Sequence, residues 1–288
     1  MGTLLIFVDG IGIGGADLHG NPFAAADVRR LAPLAAGPID PQAAFRPLDA
    51  TLGVDGLPQS ATGQTTILTG VNAPARLGRH VQGIPGPSLR PILERESIFL
   101  KLTRAGRPAT FANAYTREHL EARRPRWSAT TRAVMAAGIP FRMMEDERVD
   151  AALPHDYTGD WWRSRGFDVR RRTAAEAARV LAALVERHDL VLYEYFLTDL
   201  AGHRGTWDER VTQARRVEEL IDALVETIDR TRHRIVLVSD HGNLEDATRT
   251  THTRNPVPLL VWGRAREELV ERVRSLDGLA PALLDRSD

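Results

Sequence analysis

The chain of 288 residues contains no cysteine, which excludes disulfide bonds, thiolate nucleophiles and thiolate metal sites. Carboxylate and imidazole side chains are then the strong metal ligands that remain. Lysine is almost missing as well, since Lys101 is the only one and arginine supplies the other basic residues. The 38 basic and 38 acidic residues cancel, so no overall field favours nucleic acid or an anionic membrane surface.

Long apolar runs are also absent from the sequence. The N-terminal run Leu4–Val8 is followed at once by Asp9 and Gly10, and no segment approaches the roughly 20 apolar residues of a membrane span. The hydrophobic fraction of 43% and the charged fraction of 26% are typical of soluble globular proteins. We therefore expect a cytoplasmic protein with no membrane or nucleic-acid partner.

Short apolar, β-branched runs alternate with stretches of helical periodicity. This alternation predicts an α/β fold, a doubly wound α/β/α sandwich with a mostly parallel central sheet. The predicted strands are Leu4–Val8, Ala109–Tyr115, Leu190–Phe196, Ile235–Val238 and Leu259–Trp262, and the predicted helices are Leu89–Ala105, Ala174–Arg187 and Trp207 to about Arg230.

The middle of the chain interrupts this alternation. Residues 116–172 contain arginine-rich and tryptophan-containing segments with neither periodicity. We interpret residues 1–115 and 173–288 as one α/β core, and residues 116–172 as a small inserted cap.

Acidic and imidazole side chains follow three of the predicted strands. Asp9 follows the first strand, Asp199 and His203 follow the strand at 190–196, and Asp240 and His241 follow the strand at 235–238, with His252 a little further on. Each aspartate alone is equally typical of a turn or a helix cap. Ligands in open α/β sheets bind beyond the carboxyl ends of the strands, so the joint occurrence of three Asp and three His favours a metal site.

A second polar segment precedes the periodic stretch Thr65–Gly70. It contains two hydroxyl side chains, Ser60 and Thr62, and either one could cap a helix that starts there. The other interpretation is a nucleophile, because a hydroxyl at a helix N-terminus lies beside backbone N–H groups that can hold a phosphoryl group.

Together these segments resemble the alkaline phosphatase superfamily of metalloenzymes, and within it the branch of cofactor-independent phosphoglycerate mutase and phosphopentomutase. The matching motifs occur in the family's order and lie in both ends of the chain but not in its middle. They are Phe-Val-Asp-Gly at 7–10, Leu-Pro-Gln-Ser-Ala-Thr-Gly at 57–63, Thr-Asp-Leu-Ala-Gly-His at 198–203, Ser-Asp-His-Gly-Asn-Leu-Glu at 239–245 and Thr-His-Thr-Arg-Asn-Pro-Val-Pro at 251–258.

The resemblance implies an alkaline phosphatase-like fold that binds two divalent metal ions, Mn²⁺ or Zn²⁺. It implies that one ion is held by Asp199, His203 and His252. The other would be held by Asp9, Asp240, His241 and the hydroxyl of Ser60. Ser60 would be the nucleophile, since it occupies the family's Ser or Thr position three residues before the motif glycine. A phosphoserine intermediate would follow.

Two departures from the mutase pattern bear on the reaction. Gln64 follows the motif glycine where both mutases have histidine, and the middle segment is far shorter than the second domain of the phosphoglycerate mutase. A mutase must exclude water while its substrate turns round, whereas hydrolysis needs only an activated water. We therefore predict hydrolysis of a small-molecule phosphate monoester or diester. The alternatives are a phosphomutase and a non-catalytic metal-binding member of the fold.

Other interpretations of the motifs are weaker. Gly10 to Gly15 formally matches the dinucleotide pattern G-x-G-x-x-G, but a loop, not a helix, is predicted after it. The arginine runs at 123–127 and 170–172 could bind nucleic acid, although charge runs are usually solvated surface. Arg126, Arg142 or Arg163 could bind a phosphate or carboxylate of the substrate. The sequence predicts no organic cofactor. It does not indicate an oligomeric state.

Overall fold

The computed structural model describes residues 1–123 and 126–285. Arg124 and Pro125 of the first arginine run, and the last three residues of the predicted core, lie outside this description. The described strands are β1 (Thr3–Val8), β2 (Ala43–Leu48), β3 (Ala109–Phe111), β4 (Ala114–Tyr115), β5 (Arg142–Met143), β6 (Leu190–Tyr195), β7 (Arg234–Val238) and β8 (Val257–Gly263).

The helices come mostly between and after these strands. They are α1 (Pro22–Ala25), α2 (Ser60–Thr69), α3 (Ala73–Leu77), α4 (Arg90–Glu96), α5 (Ile98–Arg104), α6 (Arg117–Leu120), α7 (Ala129–Ala136), α8 (Met144–Arg148), α9 (Asp160–Arg163), α10 (Ala174–Val185), α11 (Leu197–Arg204), α12 (Trp207–Thr227), α13 (Arg266–Arg272) and α14 (Leu279–Leu284). Short 3₁₀ turns lie at Ala32–Leu34 and Leu276–Gly278.

A six-stranded sheet forms the centre of the fold, in the order β2-β8-β7-β1-β6-β3. Strands β3, β6, β1 and β7 are parallel, while β8 runs antiparallel to both β7 and β2. The prediction of an α/β fold with a mostly parallel sheet is confirmed.

Helices cover both faces of this sheet, so its central strands are buried on both sides. In β1, Leu4, Ile6 and Val8 join a core that includes residues of α10 and α12. The alternate residues Leu5 and Phe7 join a second core formed with α2, α5, α13 and α14. This even and odd division follows from the two-residue repeat of a strand, and it produces the predicted three layers.

The two long helices of the first face begin with similar caps. Thr173 precedes α10 and Thr206 precedes α12, and each threonine accepts a hydrogen bond from a glutamate N–H three residues later while that glutamate caps the threonine N–H. Such capping boxes satisfy N–H groups that a helix start leaves free. The predicted helices end somewhat earlier than expected, at Val185 and Thr227.

The prediction of a single strand over Ala109–Tyr115 is wrong. It divides into β3 in the main sheet and β4, which pairs with β5 in a two-stranded sheet. The cause is Asn113, whose amide Nδ2 donates to Glu194 O at 2.7 Å and whose Oδ1 accepts from Glu194 N at 2.9 Å. The side chain replaces a backbone ladder pair, and the chain leaves the sheet there.

The helix predicted over Leu89–Ala105 is also two elements, α4 and α5. Ser97 separates them with extended backbone, φ −63° and ψ 144°, and its side chain accepts from Leu100 N at the start of α5. A strand was missed at Ala43–Leu48, which contains Pro47 in the edge strand β2. Proline is tolerated there because an edge strand bonds on one side only.

Residues 116–172, the predicted cap, contribute β5 and helices α6 to α9. Within this segment Ala129, Ala133 and Val134 of α7 pack into the second core, while Leu153 and Tyr157 pack into the first. The boundaries of core and cap stay a prediction. None of the helices in the two described ranges has the length and apolar character needed to cross a membrane.

Candidate metal centre and active site

Three aspartates lie together at one edge of the sheet. Asp9 directly follows β1, Asp240 lies just after β7, and Asp199 lies in the first turn of α11, which follows β6. Strand β1 is hydrogen-bonded between β6 and β7, and all three run in the same direction. Their carboxyl ends therefore meet, and three residues far apart in sequence come within reach of one another.

The antiparallel direction of β8 brings His241 and His252 to the same edge. The connection from β7 to β8 leaves and rejoins the sheet on this side, since Val238 pairs with Leu259. The rings of the two histidines are stacked with centroids 3.6 Å apart. His252 Nδ1 lies 2.8 Å from Pro58 O, which holds its Nε2 toward the centre.

The six Asp and His side chains form two overlapping groups. Ligand atoms of Asp9, Asp240 and His241 all lie within 4.8 Å of one another, and so do those of Asp199, His241 and His252. His203 adjoins the second group, with its Nε2 3.3 Å from Asp199 Oδ1 and 3.1 Å from His252 Nε2. All six predicted ligands are thus brought together, and His241 lies between the two groups.

The carboxylates have oxygen atoms without hydrogen-bond partners. Both oxygens of Asp240 and Oδ1 of Asp9 are buried and accept no hydrogen bond from the described residues, and the Asp240 and His241 side chains are 0% exposed. A buried carboxylate without partners is costly unless a cation compensates for it. The donor set of carboxylate and imidazole therefore fits divalent metal ions of the Mn²⁺ or Zn²⁺ kind.

The charges of these groups perturb one another. Burial, followed by the charges of Asp240 and Asp199, raises the pKa of Asp9 well above its ordinary value. Burial also raises the pKa of Asp240 to about 6. Burial by itself would lower the pKa of His241, but the carboxylates of Asp240 and Asp9 outweigh it and raise this pKa to about 10. The protein thus concentrates negative charge that a bound cation would stabilise.

Ser60 is the first residue of α2, and its hydroxyl points to this cluster. Gln59 is the N-cap residue, so neither Ser60 nor Thr62 caps the helix. Ser60 Oγ lies 2.9 Å from His241 Nε2, whereas Thr62 Oγ1 donates to Gln59 O and is fully buried. The hypothesis of a capping hydroxyl is therefore wrong, and of the two hydroxyls Ser60 is the one that reaches the predicted metal ligands.

Two glycines permit the close approach of these elements. Gly10 has φ +70°, and a Cβ on it would lie 2.7 Å from Asp199 Oδ1. A Cβ on Gly63 would lie 2.8 Å from Asp240 Cβ, so α2 can only lie against the Asp240 backbone because this residue has no side chain. The loop predicted after Gly15 is observed, since α1 begins at Pro22. This arrangement disfavours the dinucleotide-binding interpretation.

Glu245 braces the loops that carry the ligands. It lies in the 239–245 motif, but the sequence alone predicted no role for it. Its Oε2 accepts from the N–H groups of Gly12 and Asn243, both at 2.8 Å, and its Oε1 accepts from Thr253 Oγ1 at 2.5 Å and Asn255 Nδ2 at 3.0 Å. One buried carboxylate thus ties together the loops after β1, after β7 and before β8.

A Glu245→Gln variant is expected to lose at least about 3 kcal/mol of unfolding free energy, because an amide N–H group would face donors and charge-assisted hydrogen bonds would be lost. Urea denaturation monitored by circular dichroism measures this loss. Glu271→Gln, on the exposed surface of α13, is the matched control and should change the stability by less than about 0.5 kcal/mol. Equal stability of the two variants would contradict the bracing role.

A cavity of about 840 Å³ opens beside the cluster. Its lining includes Asp9, Ser60, Asp199 and His203 from the core, together with aromatic and polar residues on either side of the predicted cap boundaries. Glu194 also lines this cavity, although the sequence did not predict it as a site residue. Burial, followed by the charge of Asp9, raises the pKa of Glu194 to about 7.

The structure separates the three cap arginines proposed as substrate ligands. Arg126 lines the cavity. Arg142 instead donates to Thr110 Oγ1 and Ala151 O, and Arg163 donates to Val169 O. Of the three, Arg126 is therefore the one placed to contact a substrate.

The arginine run at 170–172 is paired with acidic residues. Arg170 contacts Asp150, Arg171 contacts Asp160, and the buried Arg172 contacts Glu147 and Asp150. These contacts support the interpretation of the run as part of the folded structure.

Comparison with known proteins agrees with the resemblance drawn from the motifs. Residues 164–285 match the Metalloenzyme superfamily. The chain is 33% identical over 119 residues to the 2,3-bisphosphoglycerate-independent phosphoglycerate mutase of Desulforudis audaxviator, and 28% identical over 128 residues to that of Paracoccus denitrificans. These alignments cover 39% and 41% of this chain but 23% and 25% of the mutases, so the matched part spans about a quarter of their length.

Solved structures show a similar fold over nearly the whole chain. The PH0037 protein from Pyrococcus horikoshii has a TM-score of 0.60 and 15% identity, covering 100% of this chain and 97% of its own. Alkaline phosphatase from the Antarctic bacterium TAB5 has a TM-score of 0.54 and 10% identity, covering 98% and 96%. The C-terminal periplasmic domain of EptC from Escherichia coli, in complex with Zn, has a TM-score of 0.51 and 13% identity, covering 96% and 80%. The fold is therefore alkaline phosphatase-like, as predicted.

Proposed function

We propose that this chain, which has an alkaline phosphatase-like fold and matches the Metalloenzyme superfamily over residues 164–285, is a two-metal phosphohydrolase that acts on a phosphate monoester or diester through Ser60. The observation that carries the proposal is the position of Ser60. Its hydroxyl lies at the N-terminus of α2, 2.9 Å from His241 Nε2, beside a cluster of three Asp and three His of which four are buried and two, Asp199 and His203, are half-buried.

The residues present fit two divalent cations, because Oδ1 of Asp9 and both oxygens of Asp240 are buried without a hydrogen bond from the described residues. Asp199, His203 and His252 would hold one ion. Asp9, Asp240, His241 and Ser60 would hold the other. Bound there, the cations would supply charge that lowers the pKa of the serine hydroxyl and neutralises the phosphoryl oxygens. Mn²⁺ and Zn²⁺ both suit this donor set.

The chain's own groups account for the reaction in two displacements. Ser60 Oγ attacks phosphorus as its proton passes to solvent water, and the bond from phosphorus to the leaving-group oxygen breaks on the opposite side. The leaving oxygen takes a proton from solvent, which gives a phosphoserine and the free alcohol. The first N–H groups of α2 have no acceptor within the helix, and they are placed to hold the phosphoryl oxygens. Water then attacks phosphorus and gives up a proton, the Ser60 Oγ–phosphorus bond breaks, and Ser60 Oγ takes up a proton, which releases phosphate and restores the serine.

Hydrolysis is favoured over two alternatives. A phosphomutase is supported by the identity to the phosphoglycerate mutases, but the chain matches about a quarter of their length, and Gln64 stands where mutases have histidine. A non-catalytic protein of this fold is disfavoured, because all six predicted ligands and the serine hydroxyl lie together. A small-molecule substrate and a cytoplasmic location remain predictions.

Metal content and turnover test the proposal together. We expect elemental mass spectrometry to find about two metal ions per chain, and we expect Mn²⁺ or Zn²⁺ to support nitrophenol release from a nitrophenyl phosphate monoester or diester. Two ions with isomerisation of a phosphoglycerate or phosphopentose, and no hydrolysis, would favour the mutase. Two ions with neither activity would favour the non-catalytic alternative. A protein that binds no metal even after reconstitution would overturn the proposal.

Gln64 is expected to orient one metal ligand and not to react. Its Nε2 donates to Asp9 Oδ2 at 3.1 Å, and its side chain is buried. Gln64→His keeps a donor, so kcat should fall by less than about ten-fold, whereas Gln64→Leu leaves Asp9 without this donor and should lower kcat more. Steady-state kinetics of the two variants with the same ester decide this. An equal loss in both would contradict an orienting hydrogen bond.

A further inference from the structure

Four aromatic side chains form one wall of the cavity. They are Phe196, His155, Trp161 and Trp162, named here the aromatic wall, and all four line the cavity that also contains Ser60 and Asp199. The His155 ring stacks on Phe196 with centroids 4.1 Å apart, and Trp161 meets His155 edge-on at 4.5 Å. Trp161, Trp162 and Phe196 are only half-buried, so each keeps surface that a ligand can cover.

Two N–H groups of this wall, on His155 and Trp161, have no acceptor among the described residues. Trp162 Nε1 donates to His155 Nδ1 at 3.2 Å, so the neutral His155 ring carries its proton on Nε2. Neither His155 Nε2 nor Trp161 Nε1 has a hydrogen-bond partner among the described residues, although both atoms are buried. Buried indole and imidazole N–H groups usually find a partner. An acceptor atom of a ligand would supply one.

The wall lies in the same cavity as the proposed nucleophile and adjoins the predicted metal ligands. Phe196 is the N-cap residue of α11, three positions before Asp199, so the wall begins next to the predicted metal ligands. One face of the Trp161 ring is covered, because the Arg165 guanidinium lies 3.6 Å from its ring centroid. Arg126 and Arg204 also line the cavity and suit an anionic ester.

We infer that the aromatic wall is a leaving-group subsite for a planar aromatic ring that carries an oxygen acceptor. The ring would stack against the half-buried aromatic faces, and its acceptor would receive hydrogen bonds from His155 Nε2 and Trp161 Nε1. The inference rests on the proposed function for the phosphoryl end of the substrate. It selects an aryl or heteroaryl phosphate ester over an ester of a small aliphatic alcohol.

Binding without turnover tests the subsite by itself. We expect isothermal titration calorimetry on the full chain as purified to show 2-naphthamide binding at least about ten-fold more tightly than decahydro-2-naphthamide, which has the same acceptor but no flat ring. Trp161→Leu should remove this preference. Trp127→Leu, the same substitution at a half-buried tryptophan outside the aromatic wall, should leave it within about two-fold.

The donor is tested separately at His155. His155→Phe keeps a ring on Phe196 but lacks the N–H group, so it should weaken 2-naphthamide binding by about five-fold or more, and His155→Gln, which keeps a donor, should recover part of the loss. Circular dichroism confirms that each variant is folded. If Trp161→Leu fails to fold, Phe196→Leu replaces it. Equal binding of the two amides, or no effect of the wall variants, would overturn the subsite.

Kinetics separate this inference from the proposed function. With the metal-loaded enzyme, Trp161→Leu should raise KM for 2-naphthyl phosphate by about ten-fold and leave KM for cyclohexyl phosphate unchanged. Selective naphthamide binding without turnover of any ester would retain the subsite and overturn the hydrolase. Turnover of both esters with equal KM, and no naphthamide preference, would retain the hydrolase and overturn the subsite.

Discussion

A Ser60→Ala variant is expected to lose at least about 10³-fold in kcat, the scale on which nucleophile removal acts in other enzymes. Ser60 Oγ is the group that the structure places at the N-terminus of α2, 2.9 Å from His241 Nε2. Without it no phosphoenzyme can form, because an alanine methyl group cannot bond to phosphorus. Intact-protein mass spectrometry after acid quenching should show a phosphorylated wild type and an unmodified variant.

Thr62→Ala is the matched control for Ser60→Ala. The Thr62 hydroxyl lies two residues further along α2, but it donates to Gln59 O and accepts from Val81 N, and it is fully buried. Its loss should cost about 1–2 kcal/mol of unfolding free energy and leave the phosphoenzyme intact. Full turnover by Ser60→Ala would show that water attacks phosphorus directly. Loss of the phosphoenzyme in Thr62→Ala alone would move the nucleophile to that residue.

The second large effect is expected from Asp240→Asn, which should abolish metal-dependent stabilisation and activity while the metal-free protein still folds. Both Asp240 oxygens are buried and accept no hydrogen bond from the part of the chain that the structure describes, so their contribution depends on a cation. At a metal concentration of 100 times the wild-type Kd, binding stabilises the wild type by about 2.7 kcal/mol. If the variant binds 100-fold more weakly or worse, it gains about 0.4 kcal/mol or less.

Thermal unfolding with and without Mn²⁺ or Zn²⁺ measures this difference. Asp246→Asn is the control, because Asp246 lies on the same connection but its side chain binds Thr248 and Arg249 at the surface. The control should keep the metal-dependent rise in Tm. A rise in Asp240→Asn as large as in the wild type would exclude Asp240 as a metal ligand. A variant unfolded without metal would give this aspartate a structural role instead.

Much of the candidate site could be predicted because its residues follow strands closely in sequence. Asp9 comes directly after an apolar run, Asp240 and His241 follow another, and the spacing of Asp199 and His203 places both on one side of α11. Strand runs are recognisable because β-branched residues fill the buried central strands. The same reasoning predicted the positions of β1, β6, β7 and β8 to within a few residues.

The wrongly predicted strand and helix boundaries come from side chains that replace or end backbone hydrogen bonding. Asn113 imitates a ladder pair with Glu194 and divides a predicted strand, and Ser97 caps α5 inside a predicted helix. Apolar periodicity does not report such polar contacts, because it records which side chains are buried and not which backbone groups are satisfied. Glu245 was missed for a similar reason, since its four donors come from distant loops.

The sequence by itself determined the positions of four central strands, β1, β6, β7 and β8, and the chemical types of the predicted ligands. It placed Asp or His after three buried strands, excluded thiolate chemistry and identified a hydroxyl at the start of α2. Only the tertiary structure decided that β1 lies between β6 and β7, that both Asp240 oxygens are buried without a hydrogen bond from the described residues, and that an aromatic wall shares the cavity with Ser60. These features depend on strand order and on contacts between distant residues, which local propensity and periodicity do not specify.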